Sequence, residues 1–452
     1  MFDNGIMENN SSVSDQVKNL NFVVFDLETT GGNHQSDKII EIGLVKISEL
    51  GLREEKSFLI KPEIRIPDFI QKLTNIKERD VADAPLIEEV IDEVLKFMGD
   101  HILVAHNTSF DVPFFNSVLR RLDREELRNP SICTNLMTKY LIPNLLNSNL
   151  NYMSKLFDIH HKKAHRALDD AKATAELLIR YLKIFIHKDI QKINHLYYPR
   201  NRYELDRLHF KTNDSANCDS IIDRLHQLKT PALFTLKGEN GVILFSLPSL
   251  GDQKEIDFIE KKIKELPWLT ATIKLFGPFI EALIHFNGLY SKMDHDTKIE
   301  TIKFMWGLHF PKLNFPSSEN EDEVTLNKNF AGLGDFIVTR HLVPEQLIIL
   351  PIQALSLKNQ LIFRYPSHKK KLLQYINSKS QRMINNKLRQ NHFPYLMKIF
   401  LYQYLLDAKS KNDEMIFFKK KDPINKEDEF YKKLEKLLAQ KSNGYQYPKD
   451  YI

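Results

Sequence analysis

Two carboxylates stand two residues apart in the stretch Asn21-Phe22-Val23-Val24-Phe25-Asp26-Leu27-Glu28-Thr29-Thr30-Gly31. Apolar residues, mostly β-branched or aromatic, surround them, which predicts a buried strand. Because side chains alternate faces along a strand, Asp26 and Glu28 project from the same face near its end. Two desolvated anions side by side cost on the order of several kcal/mol unless cations neutralise them. Hard divalent metal ions are the neutraliser such a pair implies. The alternative on these residues alone is an edge strand whose two acids face water.

Two further segments carry chemistry-bearing types. In His106-Asn107-Thr108-Ser109-Phe110-Asp111 an apolar strand over 101–105 gives way to a helix, so Asp111 can point toward the face that carries Asp26 and Glu28. Read alone, Asp111 is equally an N-cap or first-turn aspartate. His165-Arg166-Ala167-Leu168-Asp169-Asp170 opens a long helix, where the imidazole can lean over Asp170 and the small Ala167 permits close packing. Asp169 is the adjacent alternative, with helix-dipole complementation as its local role. His160 and His161, without cysteine or a second spaced histidine pair nearby, read as loop residues rather than zinc ligands.

The elements that must position these groups follow from periodicity. Strands are predicted over 38–47 and 53–60 after turn chemistry at Gly31-Gly32-Asn33-His34, with antiparallel pairing favoured by the short connections. Leu86, Ile87, Val90, Ile91, Val94, Leu95 and Met98 recur at helical spacing, so 85–98 reads as an amphipathic helix with Pro85 in its first turn and Gly99 at its end. Helices are also predicted over 110–122, 150–157 and 167–186. Strands first and helices later make 19–188 one α/β domain.

In combination, Phe25-Asp26-Leu27-Glu28-Thr29-Thr30-Gly31, His106-Asn107 with Phe110-Asp111, and His165-Arg166-Ala167 with Asp170 resemble the DEDDh family of 3′-to-5′ exonucleases. Within that family the likeness is to the epsilon-like proofreading exonucleases, whose pattern Ile39-Ile40-Glu41-Ile42-Gly43 and Cys133-Thr134 also follow. The resemblance implies an RNase H-like mixed β-sheet flanked by helices. It implies that Asp26, Glu28, Asp111 and Asp170 hold two Mg2+ or Mn2+ ions, and that His165 takes the proton from the attacking water. Thr29, Thr30, Leu27 and Phe110, with His106 and Asn107, would meet the terminal nucleotide. The implied substrate is a 3′ end of single-stranded DNA, in replication or repair and alongside a DNA polymerase or repair complex. An RNA 3′-trimming exonuclease and a catalytically idle nucleic-acid-binding scaffold are the alternatives.

At 452 residues the chain needs two or three domains, and 42% hydrophobic with 27% charged residues excludes a largely disordered protein. Cys133 and Cys218 are too few for a disulfide framework and point to a reducing compartment. The opening Met1-Phe2-Asp3-Asn4-Gly5 lacks a signal-peptide pattern, and no apolar run approaches the ~20 residues of a membrane span. The expectation is a cytoplasmic protein with no membrane association. Residues 1–18 read as a flexible polar arm, 313–323 as a linker or loop, and 324–452 as a helical basic region. From residue 361 onward, 20 Lys and Arg face 9 Asp and Glu, so Lys369, Lys370, Lys371, Arg382, Lys387 and Arg389 are either phosphate contacts or a solvated surface. The segments 417–421 and 427–441 read as charged surface helix or tail.

Residues 189–312 read as an α+β domain with a hairpin over 230–247 and helices over 255–266 and 279–290. Pro231-Ala232-Leu233-Phe234, Asn240-Gly241-Val242-Ile243-Leu244-Phe245 and Glu281-Ala282 are faintly similar to the GIY-YIG nuclease module of UvrC-type endonucleases. Ala232-Leu233-Phe234 stands where that module needs Gly and Tyr, and Ser246-Leu247-Pro248 replaces its second motif. The resemblance therefore implies an idle descendant that keeps only Glu281 as an acid. A hairpin and helix of unrelated origin is the alternative.

Overall fold

The computed structural model describes residues 17, 19–161, 164–188, 196, 204–211, 215–316, 323–384, 393–411 and 414–439. Apart from Val17, the expected arm at 1–18 lies outside these residues, as do Lys387, Arg389 and positions 317–322 of the expected linker. The chain divides between Glu204 and Leu205 into two compact units.

In the N-terminal unit, β1 (Phe22–Thr29), β2 (Ile39–Ser48) and β3 (Gly51–Leu59) are antiparallel neighbours. Two short strands, β4 (Ile102–Ala105) and β5 (Ser131–Cys133), add in parallel, giving the order β3-β2-β1-β4-β5. The helices are α1 (Asp68–Thr74), α2 (Glu78–Val81), α3 (Ile87–Met98), α4 (Thr108–Arg121), α5 (Thr134–Leu141), α6 (Leu150–Leu156) and α7 (Ala167–His187). This is the expected mixed sheet flanked by helices. Alternation divides β1 cleanly: Val23, Phe25 and Leu27 enter an apolar core with Val90, Val94, Phe114 and Phe115. Asp26 and Glu28 take the other face, over which α7 packs. Helix α3 begins two residues after Pro85, with the Glu89 carboxylate accepting from the Leu86 N–H at 2.6 Å. Gly99, at φ 47°, ends it by donating to Leu95 O.

In the C-terminal unit, β6 (Arg207–Lys211), β7 (Ala232–Lys237), β8 (Ile243–Ser249) and β9 (Thr270–Leu275) form a sheet of order β6-β9-β7-β8. The predicted hairpin is β7–β8, turned through Asn240 and Gly241 at φ 53° and 75°. Helices α8 (Ser215–His226), α9 (Gln253–Glu265), α10 (Phe279–Tyr290), α11 (His295–His309) and α12 (Glu323–Leu333) accompany it. A second sheet, β10 (Phe336–Arg340), β11 (Leu347–Pro351), β12 (Leu361–Phe363) and β13 (Met415–Phe418), has the order β12-β11-β10-β13. It is joined by α13 (Lys369–Ile384), α14 (Tyr395–Lys411), α15 (Asp422–Asn425) and α16 (Glu427–Ala439). One apolar core includes Phe234, Phe245 and Leu283 together with Ile348, Leu350 and Phe400 from beyond residue 323.

The basic region therefore carries a sheet as well as helices. Residues 417 and 418, expected in a charged surface segment, belong to β13, where Phe418 stacks on Phe336 in a second apolar core. Helix α16 is not a free surface helix either, since Phe430, Tyr431, Leu434 and Leu437 bury one face in that core. Lys369 pairs with Glu427 at 2.6 Å and sits over the Tyr431 ring at 4.2 Å, so part of the expected phosphate-binding charge holds α13 to α16.

Candidate active site

Three chain segments bring four carboxylates to the end of β1. Asp26 and Glu28 come from the strand, Asp111 from the first turn of α4 and Asp170 from the first turn of α7. Asp26 keeps part of its surface open, yet burial of its carboxylate is the main reason its pKa is pushed well above the usual range. Asp111, Asp170, Glu28 and Glu41 add like-charge repulsion to that burial. Glu28 rises to about 8, first through burial and then through Asp170, Glu41 and Asp111, with Arg166 opposing. Burial also lifts Asp111 to about 7, against hydrogen bonds from the backbone of Asp111 and Leu27. The group is a concentration of negative charge that protons relieve in the absence of cations.

The sheet register explains how α7 reaches it. Asp26 is paired with Gly43 and Glu28 with Glu41, so all four positions share one face. At Gly43 an added Cβ would lie 2.2 Å from the Ala167 backbone carbon, a distance no side chain tolerates. Glycine there lets the start of α7 settle directly opposite Asp26. Glu41 fixes it in place: its carboxylate accepts from Arg166 Nε at 3.0 Å, Arg166 Nη2 at 2.8 Å and the Ala167 N–H at 2.9 Å. This two-pronged pair on a buried glutamate, with a helix-start N–H as third donor, sets the register of α7 and with it Asp170.

His165 precedes the helix with φ 63°, a left-handed conformation that histidine adopts more readily than most residues. Its N–H donates to Asp170 Oδ2 at 3.3 Å. One ligand atom each from Glu28, His165 and Asp170 lie within 4.8 Å of one another. Carboxylate oxygens whose charge is uncompensated suit a hard divalent cation.

A family model described as "Exonuclease" matches residues 23–178, the stretch that holds all of these groups. The chain is 43% identical over 162 residues to a PolC-type DNA polymerase III of Caldanaerobacter subterraneus subsp. tengcongensis, covering 36% of this chain and 12% of that protein. It is 36% identical over 162 residues to the DNA polymerase III subunit epsilon of Aquifex aeolicus, covering 36% of this chain and 80% of that subunit. The chain belongs to the DEDDh 3′-to-5′ exonuclease family. Among solved structures, Exonuclease X in complex with 5′ overhanging duplex DNA is 29% identical, covers 36% of this chain and 91% of that chain, and has a TM-score of 0.31. The exonuclease domain thus accounts for about a third of the chain, and the chain spans only 12% of the PolC-type relative.

The other expected contacts of this exonuclease fall in different surroundings. Leu27 faces the apolar core, away from Asp26 and Glu28, while Phe110 packs at the edge of that core 5.6 Å from the Phe114 ring. Thr29 Oγ1 donates to Gly31 O at 2.7 Å, and Thr30 Oγ1 accepts from the Lys38 N–H at 3.0 Å, so both hydroxyls brace the loop after β1. His106 has both ring nitrogens engaged, by Thr134 Oγ1 at 3.0 Å and Ser148 O at 2.8 Å, and burial holds its pKa below the usual value. Asn107 is the N-cap residue of α4, its backbone oxygen accepting from the Phe110 N–H at 2.9 Å.

The residue that sequence reading missed is His161. Its Nε2 lies 2.5 Å from Asp170 Oδ1, with the ring almost fully buried, so a loop histidine supports the carboxylate from the side opposite the His165 N–H. Its position, nine residues before Asp170 in a segment without periodicity, carried no signal beyond its chemical type.

Proposed function

We propose that this chain hydrolyses phosphodiester bonds one nucleotide at a time from the 3′ end of single-stranded DNA, with two Mg2+ or Mn2+ ions held by Asp26, Glu28, Asp111 and Asp170. The observation that carries the reading is the convergence of four acids from three segments into one buried, mutually repelling group. Such a cluster is costly in a protein that does not bind cations, and it supplies the oxygen donors that two-cation phosphoryl chemistry requires. When bound, the cations supply neutralisation of the phosphoryl oxygens and of the leaving 3′-oxygen.

The chain's own residues do the rest. Asp26 and Glu28, fixed on a central strand, would hold the cations in place relative to the helices. The Glu41–Arg166 pair and Gly43 keep Asp170 in range, and His161 fixes the orientation of the Asp170 carboxylate. His165 accepts the proton of the attacking water, the general-base chemistry an imidazole is suited to. Cleavage on the 3′ side of the penultimate sugar releases the terminal residue as a nucleoside 5′-monophosphate. Work alongside a DNA polymerase or repair complex is the setting we infer from the PolC-type and epsilon relatives.

The test is a pair of degradation assays on 5′-labelled single-stranded DNA and RNA of one sequence, with Mg2+ or with EDTA. The expected result is a 3′-to-5′ ladder on DNA that requires Mg2+ and disappears in Asp26→Ala. A faster ladder on RNA would replace the DNA reading with RNA trimming, and full activity in EDTA would remove the cations from the account.

A further inference from the structure

From Gln346 to Leu406 the chain carries 10 Lys and Arg in 61 residues and no Asp or Glu. With 59 Asp and Glu in 452 residues, a span of that length would hold about eight acids. Part of this one-signed charge is used within the fold. Lys369 pairs with Glu427, Arg364 with Glu345, and Lys379 donates to Asn359 Oδ1. Lys370, Lys371 and Arg382 on α13 are exposed and, among the described residues, pair with no carboxylate.

Helical geometry gathers these three. At ~3.6 residues per turn, Leu372 and Ile376 turn one side of α13 into the apolar core. The exposed arc opposite carries the three cations with the neutral amides Gln374, Asn377 and Gln381 between them. No position of α13 is acidic. From Lys370 to Arg382 the arc runs about 18 Å along the helix, at ~1.5 Å per residue.

Other charged helices of the same unit balance their surface. α9 pairs Lys261 with Glu265 and Lys264 with Glu260, α14 pairs Lys411 with Asp407, and α16 pairs Lys433 with Glu429, each one turn apart. α13 does not, and it opens on Lys369-Lys370-Lys371, where the helix dipole favours acids. Neighbouring bases feel the resulting field. Burial and then Lys371 and Arg364 hold the His368 pKa down, and burial and then Arg382 do the same to Lys379. A helix that breaks both local rules with no compensating acid fits a surface completed by a polyanion.

We infer that this face of α13 is a contact surface for single-stranded nucleic acid, with Lys370, Lys371 and Arg382 meeting phosphates along the strand and the amides bonding between them. A lipid surface is the poorer match, because α13 turns its apolar side into the core and the exposed arc holds no apolar residue. The length of the arc suits several nucleotides rather than one free anion. Choosing DNA as the strand rests on the proposed exonuclease function, whereas the polyanion surface rests on α13 alone.

The experiment is fluorescence anisotropy of a labelled single-stranded DNA of mixed sequence, titrated with the full chain in EDTA at several salt concentrations. The wild type is expected to bind with a log–log salt slope of about −0.7 per phosphate met. Lys370→Gln/Lys371→Gln/Arg382→Gln should reduce the size of that slope by about 2 and weaken binding about tenfold or more. Lys261→Gln/Lys264→Gln/Lys433→Gln removes the same charge from paired lysines and should leave slope and affinity near wild type. Thermal unfolding checks both variants. Should the α13 triple be misfolded, its three single substitutions carry the test, each expected to reduce the slope by about 0.7. Failure of the wild type to bind, or α13 variants that bind like it, overturns the proposal. So does an equal loss in the paired-lysine variant, because net charge alone would then explain the binding. The difference in slope should persist in an Asp26→Ala background. Absence of hydrolysis in the degradation assays would therefore remove the exonuclease reading and leave this result standing.

Discussion

Two of the places where this molecule buries carboxylates do it differently. In the N-terminal unit Asp26, Glu28 and Asp111 are raised together, with neighbouring acids adding to burial at Asp26 and Glu28. In the C-terminal unit Glu281 is raised to about 7 by burial foremost, and Lys274 and the Gly277 backbone pull it back while Asp206 pushes it up. The first arrangement concentrates charge that only cations or protons can relieve. The second is one raised acid with a lysine as well as Asp206 nearby, and protonation of Glu281 relieves it. Glu28 and Glu41 repeat the lesson at shorter range: they are cross-strand partners, but Glu41 receives Arg166 whereas Glu28 faces acids. A buried carboxylate takes its role from its neighbours.

The largest expected effect separates the two units. Asp26→Ala or Glu28→Gln should lower hydrolysis by ~10^3-fold or more, the scale on which loss of a preorganised electrostatic group acts. Glu281→Gln should leave the rate within about twofold of wild type, a change too small to reflect a catalytic barrier. A comparable loss in Glu281→Gln, measured with the same labelled strand, would erase the distinction. His165→Ala should cost ~10²- to 10⁴-fold in rate while the cation affinity stays near wild type. Equal loss of affinity in calorimetry would make His165 a ligand rather than a base.

Smaller effects test how the site is held. Gly43→Ala forces a methyl group against the Ala167 backbone and should destabilise by roughly 1–3 kcal/mol, with hydrolysis falling because Asp170 shifts. Glu41→Gln removes the charge that the partly exposed Arg166 pairs with and weakens its charge-assisted hydrogen bonds, at a cost of roughly 1–3 kcal/mol. Chemical denaturation measures both. Unchanged stability in both would mean that α7 is positioned by its alanine-rich face alone.

A further contrast lies in the pH dependence of stability. A carboxyl raised from 4.5 to about 7 or 8 keeps its proton in the folded chain after the unfolded chain has released it. The folded state then binds more protons, so stability falls as pH rises from about 4.5 to the folded value, by up to ~1.4 kcal/mol per pH unit per group. Glu281→Gln should remove one such slope up to about pH 7 with or without Mg2+. Glu28→Gln should remove one up to about pH 8 in EDTA only, because bound cations replace the proton in wild type. Identical Mg2+ sensitivity of the two slopes would contradict the comparison.

Much of the N-terminal unit was legible because its strands are long enough to alternate and its helices long enough to show a period. Asp26 and Glu28 could be assigned to one face from the two-residue spacing alone. The Glu41–Arg166 pair was out of reach, since it joins positions 125 residues apart and no local pattern links them. His161 was hidden in a loop, where periodicity says nothing about direction. In the C-terminal unit, β10 and β11 are five-residue strands whose apolar runs, three residues in β10, a buried helix segment would match equally well. β13 is four residues beside a run of lysines, which made a surface segment the natural reading. Among the described residues no helix is long and apolar enough to cross a membrane.

The central claim, that the acids at the end of β1 form a cation site kept partly protonated until it is filled, is tested most directly by Mn2+ titration calorimetry. The titration is run at pH 7 in two buffers of different ionisation enthalpy, whose difference in heat counts the protons released. The account predicts saturable binding with release of more than one proton per chain, abolished in Asp26→Ala. Binding without proton release, or binding that persists in Asp26→Ala, would contradict it.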